Sequence, residues 1–232
     1  MRQVTLALTH FNRFDFLLEA ISQVKDDPRI REIVISDDAS TDGSWEKLLA
    51  HFADNPNVLL SRNAQNLDCY RNKKEAVERA PSDWVILFDS DNVMSPDYLD
   101  ALFHITPWDP STAYLPTHAA PLFDYRHLAG MTIDRHNVAR CLDRPHFLTA
   151  LNTANYFFNR NEYSRVWDGR VDPHTADSLF QNYNWLKDGN RLYFVPCLYY
   201  KHRVHAGSHY KTECHKTGNL AKQIERKLRD MR

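Results

Sequence analysis

The first hundred residues of the chain alternate short apolar runs of strand length with segments whose apolar residues recur at helical spacing. The apolar runs are rich in β-branched and aromatic side chains and end in polar residues; they cover residues 4–9, 32–36, 58–61 and 84–88. Such alternation is typical of βαβ units built around a parallel sheet. The sequence therefore predicts an α/β fold whose sheet is mixed but mainly parallel and is flanked by helices.

Three segments between and after these runs place their apolar residues on one helical stripe. The stripes consist of Phe14, Leu17, Leu18 and Ile21, of Trp45, Leu48, Leu49 and Phe52, and of Leu99, Leu102 and Phe103. Each stripe gives a helix one apolar face that can pack on a sheet. Ser95 followed by Pro96 is a typical helix start, an N-cap residue before a proline, and it predicts where the third of these helices begins.

The second half of the chain is less regular, because periodicity weakens over residues 105–174 and prolines and aromatic residues accumulate there. In that segment we predict mainly loops, with short strands at 113–115 and 155–158. The pattern then predicts a helix over 175–187 that ends at Gly189, followed by strands at 191–195 and 198–200. From Lys216 onward it predicts a basic amphipathic helix with Leu220, Ile224 and Leu228 on one stripe. We expect this helix to pack on the domain; attachment to an anionic membrane surface is the alternative.

Size, charge and cysteine content narrow the class of protein. The chain has 232 residues, of which 43% are hydrophobic, and this suffices for one buried core and a single domain. Lys and Arg number 29 against 30 Asp and Glu, so no global positive field attracts nucleic acid, and we expect no nucleic-acid partner. Cys69, Cys141, Cys197 and Cys214 lack paired spacing, which favours reduced thiols over disulfides.

The start of the chain, MRQVTLALTHFNRF, has no long apolar segment and no small-residue cleavage site after one. No stretch of the sequence approaches the roughly 18 apolar residues of a membrane span. We therefore expect a soluble, cytoplasmic protein whose contact with a membrane, if any, is peripheral.

The polar residues that follow the four strands are the first candidates for a functional site. In an open α/β sheet, ligands bind at the carboxyl ends of the strands, so these residues should converge on one crevice. The four clusters are residues 9–12, 36–43, 62–63 and 89–92. Three of the four are rich in carboxylate or amide groups.

Asp89, Ser90 and Asp91 form the sharpest of these clusters. Two carboxylates separated by one residue at a strand end can face one cleft and share a hard cation. Oxygen ligands of this kind suit Mg²⁺ or Mn²⁺, which can bridge phosphates and neutralise a departing diphosphate. The alternative is an Asp-rich turn, because an isolated Asp-x-Asp is common.

Two adjacent acids, Asp37 and Asp38, end the second strand. Residues 40–42 can cap the helix that follows, which explains the polar character of the turn. Capping does not explain both acids, and one carboxylate at this place can accept a hydrogen bond from the N3–H of uracil or thymine. Asp38 is the preferred reader of the base. Arg71 offers a guanidinium group to a nucleotide, with a solvated surface arginine as the alternative.

Taken together, these segments resemble the family 2 glycosyltransferases of the GT-A fold. The resemblance is carried by VTLALTHFN at residues 4–12, IVISDDASTDG at 33–43, the segment 62–72 and DWVILFDSD at 83–91. It implies a nucleotide-sugar-binding half over residues 1–104, an acceptor and catalytic half of the same domain over 105–215, and a C-terminal helix over 216–232. In that family the threonine after the first strand and the second of the paired acids contact the nucleoside, and the Asp-x-Asp binds the metal and the ribose.

The resemblance implies a set of ligand-binding residues. For the nucleotide these are Thr9, Phe11, Asp38, Arg71, Asp89 and Ser90, and for an Mn²⁺ or Mg²⁺ cofactor they are Asp89, Asp91 and His205. Residues 201–209 resemble the late loop of the family, in which a histidine completes the metal shell, and His202 is the second choice there. The alternative use of these histidines is a zinc site formed with His209, Cys214 and His215, which the absence of a second cysteine pair disfavours.

The second half also resembles the family, at its acceptor-side strand (residues 155–160) and at its catalytic helix (residues 176–180). The family more often has Glu-Asp where this chain has Ala-Asp, so the resemblance leaves Asp177 as the general base that deprotonates an acceptor hydroxyl. The alternatives are that Asp177 only caps its helix, or that Asp172 takes the role. Four aromatic residues are candidates to stack on sugar rings or to fill the core, namely Trp108, Tyr125, Tyr156 and Trp167.

The sequence thus predicts a metal-dependent, inverting glycosyltransferase that moves a sugar from a nucleoside diphosphate, with UDP preferred, to a glycan, a lipid-linked glycan or another hydroxyl acceptor. A sugar-phosphate nucleotidyltransferase is disfavoured, because it would need a glycine-rich loop where residues 9–12 contain no glycine. A catalytically silent domain that binds a nucleotide or a carbohydrate is the second alternative.

Overall fold

The structure of the chain, a computed structural model, describes residues 2–204 and 209–231. In the first half, strands and helices alternate along the chain. The elements are β1 (Val4–His10), α1 (Phe14–Ile21), β2 (Ile30–Asp37), α2 (Ser44–His51), β3 (Val58–Arg62), α3 (Asp68–Glu78), β4 (Trp84–Asp89) and α4 (Pro96–Phe103). The βαβ alternation predicted from the apolar runs is confirmed.

The second half is built from shorter elements. They are β5 (Thr112–Leu115), β6 (His118–Ala120), β7 (Phe123–Asp124), β8 (Thr132–Ile133), α5 (Val138–Cys141), α6 (Phe147–Leu151), β9 (Tyr156–Asn159), α7 (Arg160–Val166), α8 (Asp177–Lys187), β10 (Arg191–Phe194), β11 (Tyr199–Lys201) and α9 (His209–Arg229), with 3₁₀ turns at Arg126–Leu128 and His174–Ala176. The weak periodicity of residues 105–174 predicted mainly loops, but short strands and helices also occur throughout this segment. Strands of two to four residues are too short to show a period, and their pairing partners define them.

The main sheet has eight strands in the order β3-β2-β1-β4-β9-β5-β10-β8. The first four of these run parallel to one another, β9 is antiparallel to both β4 and β5, and β10 is parallel to β5. A smaller sheet has the order β11-β6-β7. The prediction of a mixed, mainly parallel α/β sheet is confirmed.

The register of the parallel strands aligns their carboxyl ends. Thr9 on β1 lies opposite Ser36 on β2 and opposite Asp89 on β4. Asp37 lies opposite Arg62 at the end of β3. Because these four strands end at one level, the residues that follow them meet at one edge of the sheet.

The core lies on both faces of the main sheet. Along β1, Leu6 and Leu8 belong to one apolar cluster and Ala7 to the other. This two-faced burial explains why the strands appear in the sequence as continuous apolar runs. Fully burying a Leu or Ile side chain contributes about 1.5–3 kcal/mol each, so the interior of the sheet provides the rigid base of the site.

Two boundaries in the second half differ from the predicted ones for a backbone reason. The helix predicted from residue 175 begins at Asp177, because His174 has a φ of +48° and Ala176 still belongs to a 3₁₀ turn. The strand predicted from residue 155 begins at Tyr156, because Asn155 has a φ of +66°. Positive φ values interrupt regular structure in ways that the apolar pattern does not reveal.

The C-terminal helix α9 begins at His209, seven residues before the predicted start at Lys216. Its first two turns are mostly polar and lack the apolar stripe that starts at Leu220. A prediction based on that stripe therefore placed the start of the helix too late. Ile224 and Leu228 are buried in the main core, which confirms that the helix packs on the domain. Among the helices of residues 2–204 and 209–231, none has both the length and the apolar character needed to cross a membrane.

Candidate active site

A cavity of about 420 Å³ lies at the carboxyl ends of the parallel strands. Residues from β1, from the turn after β2, from α3, from the end of β4 and from the start of α8 line it. Those that the sequence had singled out are Thr9, Phe11, Asp38, Asp89, Ser90, Asp91, Tyr125, Asp177 and His202. The fold thus brings most of the predicted site residues together.

The turn after β2 gives the two adjacent acids different surroundings. Asp37 is fully buried and accepts hydrogen bonds from the backbone N–H and the hydroxyl of Ser40, with Arg62 at 3.4 Å. Asp42 lies one residue before the N-cap Gly43 and accepts a hydrogen bond at 2.9 Å from the backbone N–H of Ser44, the first residue of α2. Asp37 and Asp42 are therefore used to build the turn, and Asp38 is the acid that lines the cavity.

Asp38 uses one carboxylate oxygen for the protein. Its Oδ1 accepts hydrogen bonds from the side-chain amide of Asn63 and from the backbone N–H of Leu67, both at 2.9 Å. Its Oδ2 accepts none from the described residues and is available to a ligand. Burial raises the pKa of the Asp38 carboxyl, although the hydrogen bonds from Asn63 and Leu67 oppose this.

The two acids at and just after the end of β4 each pair with a basic side chain. The backbone N–H of Asp89 donates to the side-chain oxygen of Asn155 at 2.6 Å, which ties this turn to the start of β9. Asp89 Oδ1 lies 3.1 Å from the ammonium of Lys73. Asp91 Oδ2 accepts a hydrogen bond from the guanidinium of Arg13 at 2.7 Å. Burial raises the pKa of Asp89, and the neighbouring charge of Asp91 adds to that effect.

The donor set at this end of the cavity fits a hard divalent cation. Asp89 and Asp91 offer carboxylate oxygens, and His202 lines the same cavity. The Nδ1 atom of His202 is buried and has no hydrogen-bond partner among the described residues. Burial lowers the pKa of His202, although Asp91 and Asp89 oppose this, and the neutral imidazole that a lower pKa favours is the form that binds metals. Oxygen ligands with one imidazole suit Mn²⁺ or Mg²⁺, whose remaining ligands would come from phosphate and water.

The predicted ligand His205 lies outside the described residues, and so do the side chains that the zinc alternative requires beyond His202. In the part of the chain that is described, no three His, Cys, Asp or Glu side chains are grouped closely enough to hold a metal by themselves. A cation at Asp89 and Asp91 would therefore depend on ligands that come with the substrate.

Lys73 connects the Asp89 end of the cavity to Asp177, the predicted base. It projects from α3, is buried, and places its Nζ 2.7 Å from Asp177 Oδ2. Asp177 is the first residue of α8, and its Oδ1 accepts a hydrogen bond from the backbone N–H of Ser178 at 2.7 Å. Burial by itself would lower the pKa of Lys73, but Asp177 and Asp89 raise it well above its ordinary value, so the ammonium is charged.

Four predicted residues are placed elsewhere. Arg71 is exposed on α3 and does not line the cavity, where Lys73 from the same helix does. Asp172 is exposed and also lies outside the cavity lining, so of the two candidate bases Asp177 is the one that lines the cavity. Trp108 and Tyr156 belong to the apolar cores.

Of the two remaining aromatic candidates, Trp167 packs on another aromatic ring and Tyr125 lines the cavity. Trp167 stacks on Tyr70, with ring centroids 5.4 Å apart. Tyr125 is the one of the four aromatic candidates that lines the cavity.

Sequence reasoning did not single out Lys73 and Arg13. Lys73 lies in a run of charged residues on α3 that is typical of a solvated helix face, and only the packing of α3 against α8 buries it. Arg13 precedes α1 by one residue, and a strand-end rule confined to residues 9–12 stops just before it.

Comparison with known proteins identifies the family to which the chain belongs. The model of the family described as Glycosyl transferase family 2 matches residues 5–126, which is more than half of the chain. The chain therefore belongs to glycosyl transferase family 2, as the strand-end motifs predicted. An abequosyltransferase of Salmonella typhimurium, RfbV, is 31% identical over 104 residues, covering 43% of this chain and 31% of that protein.

Solved structures show the same architecture. The structure of TarS 1-349 from S. aureus in complex with UDP-GlcNAc has a TM-score of 0.73 at 15% identity, over 96% of this chain and 66% of that chain. The mannosyltransferase PcManGT from Pyrobaculum calidifontis, in complex with GDP-Man and Mn²⁺, has a TM-score of 0.69 at 18% identity, over 100% of this chain and 66% of that chain. The chain thus has the GT-A fold and spans less than two thirds of the length of each of these proteins.

Proposed function

We propose that this chain transfers a sugar from a nucleoside diphosphate donor to a hydroxyl acceptor, with a divalent cation and with inversion at the anomeric carbon. The observation that carries the proposal is the shared cavity of Asp38, of the Asp89–Asp91 pair and of Asp177. These groups supply in one place a reader for the base, ligands for a metal at the diphosphate, and a base for the acceptor. Membership of glycosyl transferase family 2 supports the same activity.

The nucleoside would lie at the end of the cavity formed by the turns after β1 and β2. Asp38 Oδ2 can accept the N3–H of uracil while Oδ1 keeps its hydrogen bonds to the protein. Phe11 is 38% exposed and lines the cavity, so its ring is available to pack on the base. Thr9, at the end of β1, adds a hydroxyl to the same end. UDP is the first candidate for the donor nucleotide, and GDP is the second, because the neighbouring structures hold UDP-GlcNAc and GDP-Man.

A divalent cation at Asp89 and Asp91 would neutralise the charge that develops on the departing diphosphate. Ser90 lies between the two ligands and lines the cavity, where its hydroxyl can reach the donor. Arg13 is paired with Asp91 in this structure and can move its guanidinium to a phosphate when a cation takes the carboxylate. The complex of PcManGT with Mn²⁺ supports the choice of metal.

Asp177 would act on the acceptor. Its carboxylate removes the proton of the acceptor hydroxyl while that oxygen forms a bond to the anomeric carbon. The bond from the anomeric carbon to the phosphate oxygen breaks, and its electron pair leaves with the nucleoside diphosphate. Because attack and departure occur on opposite faces of the sugar, the configuration inverts.

The cavity near Asp177 is lined by side chains that suit a sugar acceptor. Tyr125 lies buried in the cavity wall, and Thr149, Asn152 and Thr153 line the cavity with hydroxyl and amide groups. Aromatic faces and neutral hydrogen-bonding groups are the side chains that pack against and bind sugar hydroxyls. This lining supports a glycan, free or lipid-linked, as the acceptor.

The experiment that tests the proposal compares Asp177→Asn with Asp172→Asn in assays of nucleoside diphosphate release from UDP- and GDP-sugars with a panel of glycan acceptors. The asparagine at 177 still accepts the hydrogen bond from Ser178 but cannot take a proton, so we expect a loss of about 10²–10⁴ in kcat. The exposed Asp172 should be replaceable without loss. Equal activity of Asp177→Asn and wild type would exclude Asp177 as the base, and binding of the nucleotide without any turnover would favour the catalytically silent domain.

A further inference from the structure

We infer that Lys73 is a positioning residue for the transfer reaction, which holds the base Asp177 at a fixed place relative to the metal ligand Asp89. The inference rests on the proposed function and adds to it a residue on α3 that neither the sequence motifs nor the comparisons assign. It is drawn from the contacts of one buried ammonium group with two carboxylates.

The Lys73 ammonium joins three separate parts of the fold. It comes from α3, contacts Asp177 Oδ2 on α8 at 2.7 Å, and contacts Asp89 Oδ1 at the end of β4 at 3.1 Å. Asp177 is 104 residues away in sequence, so tertiary packing alone creates the arrangement. Among the described residues, Lys73 is the side chain that contacts both carboxylates.

The surroundings of Lys73 are those of a fixed group. The residue is only 6% exposed. A lysine almost never occupies such a position unless its charge is paired, and here the two carboxylates provide the pairing. An ammonium has three N–H donors, and two of them suffice for Asp177 and Asp89.

Lys73 also fixes the orientation of the Asp177 carboxylate. Oδ2 is held by Lys73, and Oδ1 is held by the backbone N–H of Ser178. Each carboxylate oxygen can accept more than one hydrogen bond. The Asp177 carboxylate can therefore still accept a hydrogen bond from the hydroxyl group of the sugar acceptor. The base is therefore oriented from two sides before any substrate arrives.

This arrangement matters because the base and the donor must meet at one anomeric carbon. Under the proposed function, Asp89 at the end of β4 would help to hold the cation that binds the donor, whereas the base belongs to α8 in the second half of the chain. A misplacement of about 1 Å between reacting groups can cost roughly 10²-fold in rate. The Lys73 ammonium contacts the carboxylates of both Asp89 and Asp177 and thereby sets the distance between them.

The test uses Lys73→Gln and Lys73→Arg, with Lys74→Gln as the matched control on the same helix. Lys74 pairs with Glu78 and is absent from the cavity lining, so its replacement removes one charge from α3 without touching the site. In each full-length variant we would measure kcat and KM for transfer, the Kd for UDP with Mn²⁺, and the crystallographic position of the Asp177 carboxylate.

For Lys73→Gln we expect the Asp177 carboxylate to shift by about 1 Å and kcat to fall by about 10²-fold, while the Kd for UDP with Mn²⁺ stays close to that of wild type. Lys73→Arg should recover part of the lost kcat, since a guanidinium can also bond two carboxylates. Lys74→Gln should match wild type in all readouts.

Three outcomes would overturn the inference. One is an unmoved carboxylate with unchanged kcat in Lys73→Gln. Another is a loss of UDP–Mn²⁺ affinity that accounts for the whole loss of activity, since Lys73 would then serve only the donor site. If Lys73→Gln does not fold, a well-folded Lys73→Arg in which the Asp177 carboxylate has moved by about 1 Å without any loss of kcat is the third. A wild-type chain that transfers no sugar would overturn the proposed function and this inference together, and is thereby distinguished from the other results.

Discussion

At the residue scale, the neighbouring acids Asp37 and Asp38 show how far a motif predicts chemistry. The sequence indicated that capping could not explain both acids and favoured Asp38 as the one available to a ligand. The structure gives the physical difference, because Asp37 is occupied by Ser40 and Arg62, whereas Asp38 keeps one oxygen open at the cavity. Lys73 could not be predicted in this way, since nothing in a helical run of charged residues says which of them is buried.

The two acids should respond differently to the same substitution. Asp38→Asn keeps an oxygen for the hydrogen bonds from Asn63 and Leu67 and removes a buried charge, so we expect unchanged or higher stability. The new amide would face the N3–H of uracil with a donor, and affinity for UDP should fall at least about tenfold. Asp37→Asn should instead lose about 1–3 kcal/mol of stability, because it disrupts the bonds to Ser40.

The effect of Asp38→Asn on stability should change with pH in one direction. The pKa of Asp38 is raised in the folded protein, mainly by burial. A raised carboxyl pKa contributes stability that is complete below the unfolded-state pKa of about 3.9 and is lost as the pH rises through the folded-state pKa. Asp38→Asn should therefore gain stability relative to wild type as the pH rises above about 4. Urea unfolding at several pH values measures this, and a relative loss of stability over the same range would contradict it.

At the element scale, the parallel strands could be predicted because each is buried on both faces and is therefore apolar throughout. The strands β6, β7 and β8 could not, since two or three residues carry no period and only their partners define them. The start of α9 was missed for a related reason, because its first turns lack the apolar stripe that marks the rest of the helix. Local pattern predicts an element only where burial follows the period of that element.

Helix α9 supports the segment that leads into Asp177. Leu228 is fully buried in the main core, and α9 packs against the 3₁₀ turn His174–Ala176 directly before Asp177. We expect Leu228→Ala to lower the free energy of unfolding by about 2–5 kcal/mol, because it leaves a cavity in that core. Lys222→Ala, an exposed position on the same helix, should change it by less than about 0.5 kcal/mol.

Urea denaturation with an unchanged m-value is the measurement for α9. If Leu228→Ala and Lys222→Ala unfold at the same urea concentration, the helix does not contribute to the core as described.

At the scale of the whole molecule, the sequence predicted the fold class and the place of the site, and both follow from one geometric fact. Parallel strands in register end together, so Thr9 and Asp89 are neighbours although 80 positions separate them in the sequence. The formal net charge of −1 gives no general attraction for a diphosphate, which must be met by local groups. Arg13 lines the cavity with a guanidinium group that can supply that local charge, and like Lys73 it needed the structure to be found.

The central claim, that a nucleotide binds together with a metal at the carboxyl ends of these strands, is tested most directly by thermal unfolding of wild type and Asp91→Asn with UDP or GDP, with and without Mn²⁺. A nucleotide at about 100 times its Kd should stabilise the folded wild-type chain by about 2.7 kcal/mol, which corresponds to a rise in Tm of roughly 5–10 °C at this chain length. We predict this rise for one of the two nucleotides, only with Mn²⁺ present, and its loss in Asp91→Asn. Equal stabilisation without Mn²⁺ or in Asp91→Asn, or none with either nucleotide, would contradict the account.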